Sequence, residues 1–189
     1  MRFGIWGWCM KSNVSLLRSG RVIAVDVETT GLSPRRGDRV IEVAAVAIVN
    51  GVIEEHFCCL INVNAPIPTV VQKIHGITPE LLAGEKPPEA VWPEFLKFIG
   101  SNILIAHNAP FDISFIRNEL RFLGLSLLNG SQCTLAFSRK KFPQLKNHKL
   151  ENVARHVLGG MPKGIKLHRA SGDALLTAMI WQVIENTQL

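Results

Sequence analysis

The apolar and polar positions of the chain fall into runs of two kinds. Residues 22–31, VIAVDVETTG, are rich in β-branched residues and stop at a Thr-Thr-Gly turn, which predicts a strand. Two further β-rich runs, residues 39–50 (RVIEVAAVAIVN) and 52–62 (VIEEHFCCLIN), meet at Asn50-Gly51, the dipeptide best suited to a tight type I′ hairpin. Three consecutive strands are therefore expected. From Ala65 the pattern changes to proline-bounded helical pieces, among them Thr69–His75 and Pro88–Ile99, the second with Val91, Phe95, Phe98 and Ile99 on one face. Residues 102–106, NILIA, read as a short buried strand leading through HNAPFD into a helix that runs to Gly124. Pro110 suits the first turn of that helix, and Phe111, Phe115, Ile116 and Leu123 give it an apolar side. A short helix is expected over residues 150–158. After the glycine-containing basic loop 159–167, an amphipathic helix starts near Ser171, with Ala174, Leu175, Ala178, Trp181 and Ile184 on one stripe.

A chain of 189 residues can bury about 70% of its unfolded surface in one core. The expected layout is an N-terminal extension over residues 1–20, of unassigned role, followed by one domain over residues 21–189. Trp6 and Trp8 lie in an apolar run too short, and too broken by glycine, for a secretory signal. Cys9, Cys58, Cys59 and Cys133 form no C-x-x-C pair, so they read as reduced thiols of a cytosolic, cytoplasmic chain. No apolar run reaches the roughly 18 residues of a membrane span, so no membrane partner is expected. The formal charge of +6 favours an anionic partner such as nucleic acid, although solubility alone accounts for a mild excess. The densest basic stretch, residues 139–149 (RKKFPQLKNHK), suits phosphate contact and a solvated surface equally well, as do Arg35 and Arg36 in the loop after the first strand.

The chemistry lies in acids at unusual positions. Asp26 and Glu28 stand two apart in the first strand and so emerge side by side on one face, with Val25 and Val27 on the other. Two solvated acids on an edge strand would fit that spacing too. Asp112 falls in the first turn of its helix, where a carboxylate also stabilises the helix dipole by about 0.3–1 kcal/mol. Asp173 sits in the first turn of the last helix, with His168 in the loop before it, while His75 before Gly76 is either a helix cap or a substrate contact. Gathered in one cleft, four carboxylates and a histidine are the oxygen-rich donor set that Mg²⁺ or Mn²⁺ prefers. Zinc fits less well.

These stretches resemble the DnaQ-like 3′-to-5′ exonucleases of the DEDDh type through VDVETTGL with Asp26 and Glu28, HNAPFD with Asp112, and HRASGDA with His168 and Asp173. The resemblance covers about residues 21–186. It implies an α/β chain of ribonuclease-H-like fold, a five-stranded mixed sheet flanked by helices. It also implies two divalent ions, Mg²⁺ or Mn²⁺, on Asp26, Glu28, Asp112 and Asp173, with Asp26 shared by both. His168 is implied as the general base, and Thr29, Thr30, Asn108, Phe111 and His75 of IHGIT as substrate contacts. A related branch uses tyrosine as the base, and this chain has none. Ser171 and Val27 depart from commoner family residues at positions that hold no ligand.

The activity so implied is metal-dependent hydrolysis at a single-stranded or frayed 3′ end of DNA, releasing nucleoside 5′-monophosphates. RNA 3′-end trimming is the alternative substrate, and a non-catalytic nucleic-acid-binding or assembly module is the alternative class. A DNA polymerase subunit role is a further expectation. It is weakened because the sequence stops directly after its last helix, where the replicative branch carries its polymerase contact.

Overall fold

The computed structural model describes residues 20–186, so the Trp-rich segment and Cys9 lie outside the described residues. Strands β1 (Arg21–Thr29), β2 (Val40–Val49) and β3 (Val52–Leu60) form an antiparallel meander, and β4 (Ile103–Ala106) and β5 (Ser131–Cys133) add to the other side of β1 in parallel. The spatial order is β3-β2-β1-β4-β5, the mixed five-stranded sheet that the resemblance implies. The hairpin turn has Asn50 at φ 50° and Gly51 at φ 81°, both positive as a type I′ turn requires. The helices are α1 (Thr69–His75), α2 (Pro79–Leu82), α3 (Pro88–Ile99), α4 (Ala109–Phe122), α5 (Thr134–Lys141), α6 (Leu150–Val157) and α7 (Ala170–Asn186).

The alternation along β1 divides the core. Ile23, Val25 and Val27 pack with Val91, Phe95, Phe115 and Ile116 of α3 and α4, whereas Val22 and Ala24 pack with Ala174, Ala178 and Trp181 of α7. Helices thus cover both faces of the sheet, which is why β2 reads VIEVAAVAIV with almost no polar alternation. The strands and helices expected from periodicity are present with ends moved by one or two residues. Phe98 and Leu123, from the expected apolar faces, pack at the margin of the core.

Two expectations need correction. Helix α7 is not amphipathic with one stripe: Ala174, Ala178 and Trp181 face the sheet, but Leu176, Ile180 and Ile184 face α6. A helix wedged between two layers is apolar on both, so a single-stripe reading puts Ile184 on the wrong side. Elements β5, α2 and α5 were not expected from the pattern. Three residues of β5, SQC, are too short and polar to register, and the last three residues of α5, Arg139, Lys140 and Lys141, belong to the basic stretch that the charge pattern offers as surface.

Helix α4 is fixed to the sheet by an ion pair as well as by apolar contact. Arg39 donates from Nε and Nη2 to the two oxygens of Glu119, each at 2.8 Å, and the Val40 N–H donates to Oε1 at 3.0 Å. Glu119 is only 1% exposed. A fork of this kind sets where α4 meets β2, and through α4 it sets the position of Asp112. Glu119→Ala is therefore expected to lower unfolding free energy by about 2–3 kcal/mol, near the lower end of the range for breaking a buried pair, because Arg39 is partly open to water. Denaturant unfolding measures this, and a loss below about 0.5 kcal/mol would contradict the anchoring role.

Candidate active site

The cleft opens where β4 runs out. Ala24 of β1 pairs with Ile105, and β4 ends one residue later, so residues 26–28 have a strand neighbour only on the β2 side. The Val27 N–H is satisfied instead by Asp112 Oδ1 at 3.3 Å. That bond brings the first turn of α4 against the strand end. Asp26 and Glu28 continue the even-numbered face of β1 that meets α7, and there they find Asp173. Carboxylate oxygens of Asp26, Glu28 and Asp173 all lie within 4.8 Å of one another. Asp112 stands outside this trio, on the α4 side.

Such crowding has an electrostatic cost that the titration of the groups reveals. Burial raises the Asp26 carboxyl well above its ordinary range, and the charges of Asp112, Asp173, Glu28 and Glu42 raise it further. Glu28 is pushed up to about 8 by burial and then by Asp173 and Glu42, with Arg169 opposing. Asp112 is likewise pushed up to about 8 by burial, against hydrogen bonds from its own and the Val27 amide. Asp173 rises to about 6, burial outweighing the His168 backbone N–H. Without a cation the four acids cannot all be charged together. In addition, Asp173 Oδ1 is buried with no hydrogen-bond donor. An oxygen-only donor set, close-packed and short of positive charge, fits a divalent ion of the magnesium type.

Two non-glycine residues at the site hold left-handed backbone, Asn108 at φ 76° and His168 at φ 57°. Among the described residues the third is Asn50 of the hairpin. Strain of this kind costs about 1–3 kcal/mol and persists where neighbours enforce it. For His168 the enforcing contact is its N–H, which donates to Asp173 Oδ2 at 3.0 Å, leaving the imidazole exposed at the rim. Gly172 is needed just behind, because a Cβ there would overlap the Lys166 carbonyl of the incoming loop.

The other expected contacts are placed unevenly. Thr29 Oγ1 donates to the Gly31 carbonyl (2.6 Å) and Thr30 Oγ1 accepts from the Arg39 N–H (2.9 Å), so both hydroxyls shape the turn after β1. His75 is the last residue of α1, and Gly76 caps the helix at φ 72°. Its Nδ1 accepts from the Ile77 N–H (2.9 Å), its ring lies beside the Thr29 backbone, and burial lowers its basicity. Asn108 is exposed and Phe111 half-buried, its ring 4.9 Å from that of Phe115.

Two residues at the site escaped the reading of the sequence. Glu42 of β2 pairs with Glu28 across the ladder and is 1% exposed. Arg169 donates to it from Nε (3.0 Å) and Nη2 (2.7 Å), and the Ala170 N–H adds a bond of 2.9 Å. This clamp holds the start of α7, and with it His168 and Asp173, over β1. The signal was present: a lone carboxylate inside the apolar run of β2 calls for a buried partner, by the same argument that singled out Asp26 and Glu28.

An exonuclease family model (RNase_T) matches residues 23–181. Over 166 residues the chain is 39% identical to the DNA polymerase III subunit epsilon of Aquifex aeolicus, covering 87% of this chain and 80% of that protein. It is 36% identical to the 3′-5′ exonuclease DinG of Bacillus subtilis, but there 85% of this chain covers only 17% of the relative. A solved structure of exonuclease X in complex with 5′ overhanging duplex DNA aligns at a TM-score of 0.70 and 28% identity, covering 89% of this chain and 92% of that one.

The raised carboxyl values set a pH dependence for metal-free protein. The folded state keeps protons on Glu28 and Asp112 up to about pH 8, whereas unfolded carboxyls lose theirs near pH ~4. The folded state therefore binds more protons in that window, and stability falls as pH rises. His75 and His107, whose basicity burial lowers, act in the opposite sense, but only below about pH 6.5. In EDTA the melting temperature should drop between about pH 6.5 and 8, and excess Mg²⁺ should remove most of that drop. A flat or rising profile in EDTA would contradict the carboxylate cluster as described.

Proposed function

The chain belongs to the exonuclease family and is a 3′-to-5′ exonuclease, and from that premise we propose that it hydrolyses the terminal phosphodiester at the 3′ end of single-stranded or frayed DNA. The convergence of Asp26, Glu28 and Asp173 within 4.8 Å, with Asp112 opposite, is the observation that carries this reading. Asp26, central to the group, would be shared between two divalent ions, Mg²⁺ or Mn²⁺, with Glu28 and Asp173 completing one site and Asp112 holding the other. Such ions, when bound, stabilise charge on the attacking and leaving oxygens of an in-line displacement.

The remaining roles belong to side chains. The exposed imidazole of His168 accepts the proton of the attacking water, its backbone held beside the acid cluster by the bond from its N–H to Asp173. Asn108, exposed at the start of α4, and the half-buried Phe111, next to Asp112 in its first turn, meet the terminal nucleotide in this reading, Phe111 by stacking on its base. Thr29 and Thr30 act through the turn they stabilise, and the buried His75 supports that turn from beneath. Residues 21–189 form the exonuclease domain in this reading. The name of the Aquifex relative, a DNA polymerase III subunit, favours DNA over RNA and makes a DNA polymerase the protein partner to test.

Asp26→Ala should abolish Mg²⁺-dependent release of nucleotides from an end-labelled strand while raising the melting temperature in EDTA, since a carboxyl disfavoured there by burial and by its acidic neighbours is gone. His168→Ala should lower the rate by about 10²- to 10⁴-fold with metal affinity nearly unchanged. Activity retained in Asp26→Ala would sink the metal assignment, and near-native turnover in His168→Ala would remove the histidine from the reaction.

A further inference from the structure

The charge of this chain is segregated. Residues 139–172 contain nine Lys and Arg and a single acid, Glu151, for a net +8 against +6 for the whole chain, so the rest of the sequence nets −2. In three dimensions this segment is the last turn of α5, α6 and the two loops around α6, gathered on one satellite cluster of Val153, Ala154, Leu176, Ile180 and Ile184. Arg139, Lys140, Lys146, Lys149, Lys163 and Lys166 are all exposed. None of these six takes part in the ion pairs formed by Arg21, Arg39, Lys86 and Arg169.

The segment is fastened to both walls of the cleft. His107, next to Asn108, donates from Nε2 to the His148 carbonyl (2.8 Å) and meets Thr134 Oγ1 through Nδ1 (2.9 Å). On the other wall, the loop carrying Lys163 and Lys166 runs straight into His168. Farther out, Lys141 Nζ donates to the Ile184 carbonyl at the distal end of α7. From Asp173 to Ile184 is about 16 Å at ~1.5 Å per helical residue. With one phosphate per ~3.4 Å of strand, that length accommodates about four or five phosphates.

A cleft lined by carboxylates repels a polyanion, so attraction for the strand must come from elsewhere on the protein. We propose that this basic surface is the track for the phosphate backbone on the 5′ side of the terminal nucleotide. The substrate class it selects is an oligonucleotide of at least about five residues, bound through its backbone with no reading of base identity. The inference rests on the exonuclease reading of the cleft, and the test separates the two.

Steady-state cleavage in Mg²⁺ is compared for a dinucleotide and a single-stranded DNA of about 20 nucleotides, between about 50 and 200 mM salt. The proteins are the wild type and a variant carrying Arg139→Gln, Lys140→Gln, Lys146→Gln and Lys149→Gln. Wild type should favour the long strand by a margin that shrinks with salt. In the variant, KM for the long strand should rise at least about tenfold and the log–log salt slope should fall by up to about 3, at ~0.7 per lost contact. Its kcat, and its kcat/KM on the dinucleotide, should stay within about twofold of wild type. If the fourfold variant folds poorly, Lys146→Gln alone should lower the slope by about 0.7. A variant with wild-type KM and salt slope, or one equally impaired on both substrates, overturns the track alone. Wild-type protein inert on both strands overturns the exonuclease reading and the track with it.

Discussion

The interaction on which this architecture turns is the mutual repulsion of four carboxylates in a half-buried cleft. Each is delivered by a different constraint: Asp26 and Glu28 by the two-residue period of β1, Asp112 by an amide that β4 leaves unpaired, and Asp173 by the first turn of α7. Burial raises every one of their titrations, and the charge of neighbouring members of the cluster raises those of Asp26, Glu28 and Asp112 further. Folding alone gains nothing from that arrangement. The rest of the molecule supplies the rigidity that holds the acids in place, through the Arg39–Glu119 fork on one side and the Glu42–Arg169 clamp on the other.

The two forks are alike in design. In each, a glutamate with 1% exposure accepts two bonds from one arginine and a third from a backbone N–H, so no buried charge is left without a partner. One joins β2 to α4 and the other joins β2 to the start of α7. Strand β2 therefore acts as the frame that brings the helices carrying Asp112 and Asp173 to the same end of β1. The basic segment that starts in the last turn of α5 is complementary in charge to that end, so attraction for phosphate and the requirement for cations occupy adjoining but separate surfaces.

Much of this was legible in the chain because it rests on short periods. Alternation in residues 22–28, the Asn50-Gly51 turn and the helical faces of α3 and α4 follow from local rules that packing did not override. Asp26 and Glu28 stood out because acids are rare in strands, whereas Asp112 and Asp173, at helix starts where acids are ordinary, stood out only through the motifs they share with the exonuclease family. Contacts set by tertiary structure were not legible. Glu42 and Arg169 are 127 positions apart, and nothing local to either names the other. Helix α7 misled for a related reason: a helix covered on two sides loses the single-sided pattern that one layer would impose. The hydroxyls of Thr29 and Thr30 bond within the turn, which motif position alone does not reveal.

The central claim is that the cleft holds protons in place of cations and exchanges one for the other. Calorimetric titration of the metal-free protein with Mn²⁺ at pH ~7, in two buffers of different ionisation enthalpy, counts the protons released on binding. With Glu28 and Asp112 pushed up to about 8, the account predicts release of roughly one to two protons per protein, diminishing towards zero at more alkaline pH. Tight binding with no proton release at pH ~7 would mean that the acids are already ionised without metal, contrary to the account.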